Sequence, residues 1–246
     1  MAGRSTVRGA FDQGGAPTIA VFSKAVTPLG LDLAALTRAL QRFTTDCVAP
    51  VWGTPAKLVA SQDFRKGAWA LVFLDDADEA NALAYHELTP DGLPVSRVFV
   101  RTIQRARESI SVSASHELVE MLVDPAINLW ANGPDVTQMW AYESADPVEA
   151  LSFDVGGFAM TDFVFPSWFE GFRRPRSTKF DWMGKTDRPY QLLPDGYQIV
   201  WENGRVSEIF GSAAKARAYA AEDRRLHRCD LRKVGGAHEC SGPPKD

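Results

Sequence analysis

Apolar and polar residues alternate along this chain with two periods, and the switches between them mark out its elements. Pro17 to Ala25 (PTIAVFSKA) is rich in β-branched and aromatic residues and predicts a first strand. From Leu31 to Val48 the apolar positions Leu33, Leu36, Leu40 and Phe43 recur at helical spacing, with Asp32 in the first turn, where negative charge complements the helix dipole. Lys57 to Ser61 and Gly67 to Leu74 return to strand character. The second of these, GAWALVFL, is nearly continuous in apolar residues and is expected inside a sheet. Ala82 to Thr89 and Val95 to Thr102 flank Pro90-Asp91-Gly92-Leu93, which predicts a hairpin. Leu151 to Phe165 predicts two strands about Gly156-Gly157, and Gly196 to Gly211 a hairpin turning at Asn203-Gly204. Ser212 is placed to cap a last helix, from Ala213 to roughly Arg228.

With 246 residues and 45% hydrophobic composition the chain has enough material for one large domain with an appendage. The expected organisation is a flexible leader over residues 1–16, one domain over 17–211, and a helix with a disordered tail over 212–246. A net charge of −4 and a pI near 5.6 argue against a dominant nucleic-acid groove. No apolar run approaches the roughly 20 residues of a bilayer span, and Met1 to Ala16 lacks the apolar core of a signal peptide. No membrane partner is therefore expected, and the expected location is cytoplasmic, with a phage particle as an alternative. Cys47, Cys229 and Cys240 show no zinc-ribbon or redox spacing, which favours reduced thiols over a Cys229–Cys240 bridge.

The densest chemistry lies in Ser115-His116-Glu117-Leu118-Val119-Glu120-Met121-Leu122-Val123-Asp124-Pro125. Leu118, Val119, Met121 and Leu122 supply apolar bulk, His116 and Glu120 share one helical face, and Glu117 lies between them. Pro125 predicts the stop, and Ser111 or Ser113 is a candidate cap. An imidazole and a carboxylate one turn apart make half of a metal site; an exposed charged face would show the same letters. Downstream, Glu143, Asp146 and Glu149 recur every third residue around Pro147, and buried acids of this kind call for a cation or hydrogen bonds. His86 is a candidate cleft residue, packed or exposed. Asp75 to Glu79 reads as a solvated turn, with calcium as an alternative. Asp162 to Phe169 is aromatic enough to be core or pocket floor, and the basic stretch Phe172 to Thr186 reads as a loop. His227, Cys229, His238 and Cys240 offer ligand types without a standard finger spacing.

The helix resembles the zincin metalloprotease motif His-Glu-x-x-His, with Glu120 in place of the second histidine. The longer run, Ser-His-Glu-Leu-Val-Glu, then Asp124-Pro125, then Glu143-Ser144-Ala145-Asp146, is similar to a pattern of poorly characterised zincin-like proteins of bacteria and phages. A shorter part of it resembles the plant exordium-like proteins. The resemblance covers roughly residues 17–170. It implies an α+β fold: a zincin-like mixed sheet with a metal-binding active-site helix, then a β-rich C-terminal part and a terminal helix. It also implies an edge strand that pairs with extended peptide, a catalytic zinc on His116, Glu120 and Glu143, and Asp146 orienting His116. Asp124 is the alternative third ligand.

Under this resemblance the chain is expected to be a zinc-dependent metallopeptidase acting on peptide or protein substrates, with Glu117 as general base. A second class stays open, a non-catalytic zincin-like scaffold whose carboxylates hold calcium or nothing. The oligomeric state is open in both.

Overall fold

The computed structural model describes residues 15–77, 82–175 and 178–219. Most of the expected leader, part of the acidic turn and all of the His/Cys tail lie outside the described residues. In chain order the elements are β1 (Thr18–Ser23), α1 (Leu33–Arg42), α2 (Ala49–Trp52), β2 (Lys57–Ala60), β3 (Trp69–Leu74), β4 (Ala84–Leu88), β5 (Pro94–Phe99), α3 (Val100–Ala106), α4 (Ile110–Val123), β6 (Trp130–Asn132), β7 (Gln138–Ala141), β8 (Ser152–Val155), β9 (Phe158–Thr161), β10 (Tyr197–Glu202), β11 (Arg205–Phe210) and α5 (Ala213–Tyr219). The fold is mixed α+β, with several sheets and a few helices. Among the described residues no helix is long and apolar enough to cross a membrane.

The described residues fall into two units. The first holds 15–77, 83–126 and 152–161. Its main sheet has the order β2-β1-β3-β5-β4, parallel throughout except for β4, which runs antiparallel to β5 at one edge. β1 and β3 lie inside the sheet because consecutive residues, Ile19 to Phe22 and Trp69 to Phe73, are apolar and buried, the pattern of strands covered on two faces. α1 buries Leu36, Ala39 and Leu40 and runs through a π-helical stretch, Phe43–Val48, into α2. Asp32 stands one place before α1 rather than in its first turn, and its Oδ1 accepts from the Ala35 N–H at 2.6 Å as an N-cap. The Gln41 side chain ties α1 to the segment leading into β2, donating to the Ala56 carbonyl at 3.0 Å and accepting from the Leu58 N–H at 2.8 Å.

Two expectations are corrected in this unit. The strand read as Val95 to Thr102 ends at Phe99, and the residues from Val100 begin α3. The Arg101 N–H donates to the Asp75 carbonyl at 2.9 Å, and its guanidinium pairs with the Asp75 and Asp76 carboxylates. A partner 25 or 26 positions earlier is what turns the chain there, and β-branched Val98 and Val100 carry no sign of it. The Asp75 carboxylate also accepts from the Val26 and Thr27 backbone N–H groups at 2.9 and 2.8 Å, so this acid organises a loop of the protein rather than merely facing water.

The second unit holds residue 82 and residues 127–151, 162–175 and 178–219. Its sheet is antiparallel, β11-β10-β7-β6. Asn203 and Gly204 both take positive φ, 50° and 82°, as the two-residue turn of β10 and β11 requires. Ser212 caps α5 by accepting from the Lys215 N–H at 3.2 Å. Gly133 and Asp135 lie in the turn of the β6–β7 hairpin, whose second strand pairs with β10. The aromatic run from Asp162 is core: Phe163 and Trp168 are fully buried, and Trp168 meets Trp140 and Tyr190 at centroid distances of 5.6 and 5.8 Å.

Two glycines close this unit on itself. A Cβ on Gly196 would collide with the Pro147 carbonyl, and one on Gly211 with the Leu193 carbonyl. The two glycines face each other across the base of the β10–β11 hairpin, where the Gly211 N–H donates to the Gly196 carbonyl at 2.8 Å.

Asp162 and Asp181 are both fully buried in this unit. Asp162 accepts from the backbone N–H groups of Phe163 and Met183, and Asp181 from those of Lys185 and Thr186 and from the Thr186 hydroxyl. Burial first, then the neighbouring Asp181 carboxylate, push the Asp162 carboxyl up from 3.8 to about 7. The folded state therefore holds a proton that the unfolded chain releases, and stability falls as pH rises from about 4 to about 7. Asp162→Asn keeps an acceptor for both N–H groups and removes the charge. It should stabilise the protein at pH 8 by a few kcal/mol, since each pH unit of that window is worth about 1.4 kcal/mol. Urea unfolding at pH 5 and pH 8 checks this: equal effects at both pH values would show that Asp162 does not titrate between them.

Candidate metal centre

α4 begins earlier than either candidate cap implies, with its cap at Ser109. Ser109, in extended conformation, accepts from the Val112 N–H at 3.4 Å, and Ser111 and Ser113 lie inside the helix. Ser111 instead donates to the Ala159 carbonyl of β9 at 2.7 Å, and Ser113 to the Ser109 carbonyl at 3.2 Å. Leu118, Val119, Met121 and Leu122 are all buried, as their apolar character predicts. The helix stops at Asp124, one residue before Pro125, with the Asp124 N–H donating to the Glu120 carbonyl at 2.7 Å.

Ser115 fixes the start of the chemical segment. Its hydroxyl donates to the Val112 carbonyl at 2.9 Å and accepts from the Thr161 N–H of β9 at 2.8 Å, all without exposure to solvent. One turn of helix is thereby held against a neighbouring strand immediately before His116.

His116 and Glu120 meet as the i,i+4 spacing requires, with Nε2 and Oε2 3.4 Å apart. Both are largely shielded, at 13% and 5% side-chain exposure, so this is not a solvated helix face. Glu117 points elsewhere. Its Oε2 lies 3.3 Å from Nδ1 of His86, which projects from β4, and both side chains are buried.

The sheet register explains how a histidine 31 positions upstream reaches that carboxylate. His86 stands opposite Ser96 of β5, so the two side chains share a face of the sheet. Both meet α4, since the Ser96 hydroxyl lies 3.3 Å from the Glu117 carbonyl and 3.3 Å from the Met121 sulfur. The other His86 nitrogen, Nε2, lies 3.3 Å from the Asp124 carbonyl at the end of the helix. Both ring nitrogens thus face oxygen acceptors. The two contacts are hydrogen bonds together only if the His86–Glu117 pair carries one proton more than a neutral imidazole and a carboxylate. A ring nitrogen of His86 and a carboxylate oxygen of Glu120 also lie within 4.8 Å of each other.

The sequence offered His86 as a cleft residue, packed or exposed, and named no partner for it. A signal was present in β4, where Ala84, His86 and Leu88 alternate with Tyr85 and Glu87. His86 is the only buried residue of that strand.

Glu143 and Asp146 belong to the second unit. Glu143 follows β7 and is buried, and Asp146, also buried, opens a short 3₁₀ turn, Asp146–Val148. Glu149 differs from both, because it pairs with Lys215 of α5. Asp124, the alternative ligand, is fully buried in the first unit, where its backbone carbonyl faces His86. No protein-family model, curated protein or solved structure matches the chain.

The Ser115 hydroxyl yields a direct prediction. Ser115→Ala leaves the buried Thr161 N–H without that acceptor, which should cost about 1–3 kcal/mol of stability. Denaturant unfolding checks it, and a loss below about 0.5 kcal/mol would mean that the N–H finds another acceptor.

Proposed function

We propose that the chain is a zinc-dependent peptide hydrolase with a zincin-like arrangement, in which His116, Glu120 and Glu143 hold the metal and Glu117 is the general base. The observation that carries this reading is the shielded His116–Glu120 pair. Its 3.4 Å separation matches the roughly 3.3 Å between two ligand atoms on a tetrahedral ion with bonds of about 2.0–2.2 Å. Imidazole nitrogen and carboxylate oxygen are ordinary zinc donors, so the residues fit the metal. Glu143 enters from the Glu-x-Ala-Asp part of the sequence pattern and from its burial.

Bound zinc would supply a water of lowered pKa and polarise the carbonyl under attack. Glu117 follows His116 by one residue, about 100° further round the helix, so it stands beside the ligand pair rather than in it. There it takes a proton from the attacking water and passes it to the leaving amine. The His86 imidazole lies 3.3 Å from the Glu117 carboxylate, so both groups stand on the same side of α4. β4 stands at the edge of the main sheet, where its outer backbone groups offer pairing to an extended peptide.

Protein purified without chelator should carry about one zinc per chain, bound by a four-coordinate site of this type. Elemental analysis that finds no metal, even after added zinc, would overturn the reading. His116→Ala and Glu120→Ala should each strip the metal, and Glu143→Ala should weaken it. Loss of zinc in Asp124→Ala with full retention in Glu143→Ala would exchange those two roles. Glu117→Gln should keep zinc and fold while cleavage of a peptide library falls at least roughly a hundredfold. Undiminished cleavage by the Gln variant would remove Glu117 from the mechanism.

A further inference from the structure

Glu120 stands where the two-histidine form of the helix motif has its second imidazole, yet the structure brings another imidazole to the same carboxylate. Of the four histidines in the chain, two lie within the described residues, His86 and His116. Both approach Glu120, His116 at 3.4 Å and His86 within 4.8 Å.

The setting of His86 has the form of a metal ligand. Histidines that bind metals usually donate their other ring N–H to a backbone carbonyl or a carboxylate, which fixes ring and tautomer. Nε2 of His86 faces the Asp124 carbonyl at 3.3 Å, and this contact sets the ring with Nδ1 turned toward the glutamates of α4. With Nε2 donating, Nδ1 presents a lone pair to carboxylate oxygen. Lone pair against carboxylate is repulsive unless a proton or a metal cation lies between them.

We infer that His86 is a ligand of the metal, supplying from β4 the second imidazole that α4 lacks. The inference rests on the zinc reading above and extends it. His86, His116 and Glu120 then form, within the first unit alone, the two-imidazole, one-carboxylate set of several catalytic zinc centres. These three donors alone leave zinc a place for water.

X-ray absorption on the zinc-loaded full-length chain counts imidazoles directly, and two are expected. His86→Gln retains a side-chain amide that can donate to the Asp124 carbonyl. This variant should show one imidazole and lose more than about a hundredfold in zinc affinity by chelator competition, beyond the about 10–100-fold typical of an outer partner. One imidazole in the wild type, or two in the variant, overturns the inference while leaving the zinc reading intact. A wild type that takes up no zinc overturns both. If His86→Gln fails to fold by circular dichroism, the wild-type imidazole count decides alone.

Discussion

Removing a carboxylate from water costs several kcal/mol unless donors or a cation meet it, and α4 carries two of them, Glu117 and Glu120, into the interior of its unit. Each faces an imidazole from a different source. Glu120 finds His116 one turn back on its own helix, a contact that helical spacing alone produces. Glu117 finds His86 across the sheet, and that contact depends on much more. It needs β4 paired antiparallel to β5 in the register that sets His86 opposite Ser96. It needs α4 laid along the same face, where Ser96 meets the Glu117 carbonyl and the Met121 sulfur. It needs the helix held in place lengthwise by Ser115 and Ser111 on β9. A one-residue slip of β4 would turn His86 to the other face and leave Glu117 with its cost uncompensated.

The second unit meets the same difficulty with different chemistry. Asp162 and Asp181 are buried among backbone N–H groups and one threonine hydroxyl, with no imidazole among the hydrogen-bond partners named above. Donors fixed in the backbone stabilise the carboxylates from one side. Burial, and then the closeness of the two carboxylates, works in the opposite direction and favours a proton on Asp162. The contrast is informative about purpose. Backbone donors satisfy an acid permanently, whereas an imidazole can release its nitrogen to another partner.

The parts legible in the sequence were those in which local pattern and final contacts agree. GAWALVFL forms an interior strand because its neighbours on both faces are apolar, and Asn203-Gly204 turns because few other residue pairs accept two positive φ values. The His116–Glu120 face was legible for the same reason. The start of α4 was not, since Ile110, Val112 and Ala114 alternate with serines that serve equally well as caps or as helix residues. Nor was the turn into α3, where a carboxylate far upstream decides the path of the chain. His86 lay furthest from reach: its role comes from a strand register and a helix docking that no window of neighbouring residues records.

The residues that tolerate least change in this protein are not all reactive ones. Gly196 and Gly211 sit where backbone passes against backbone, and even a methyl group has nowhere to go at either. Gly196 abuts Pro147, directly after Asp146, and the Leu193 N–H bonds to that same Pro147 carbonyl at 3.0 Å. A scan for loss of function would therefore flag these glycines together with the acids of the 143–149 segment. Substitutions at Gly196 would act through lost folding yield rather than through altered properties of the molecules that survive.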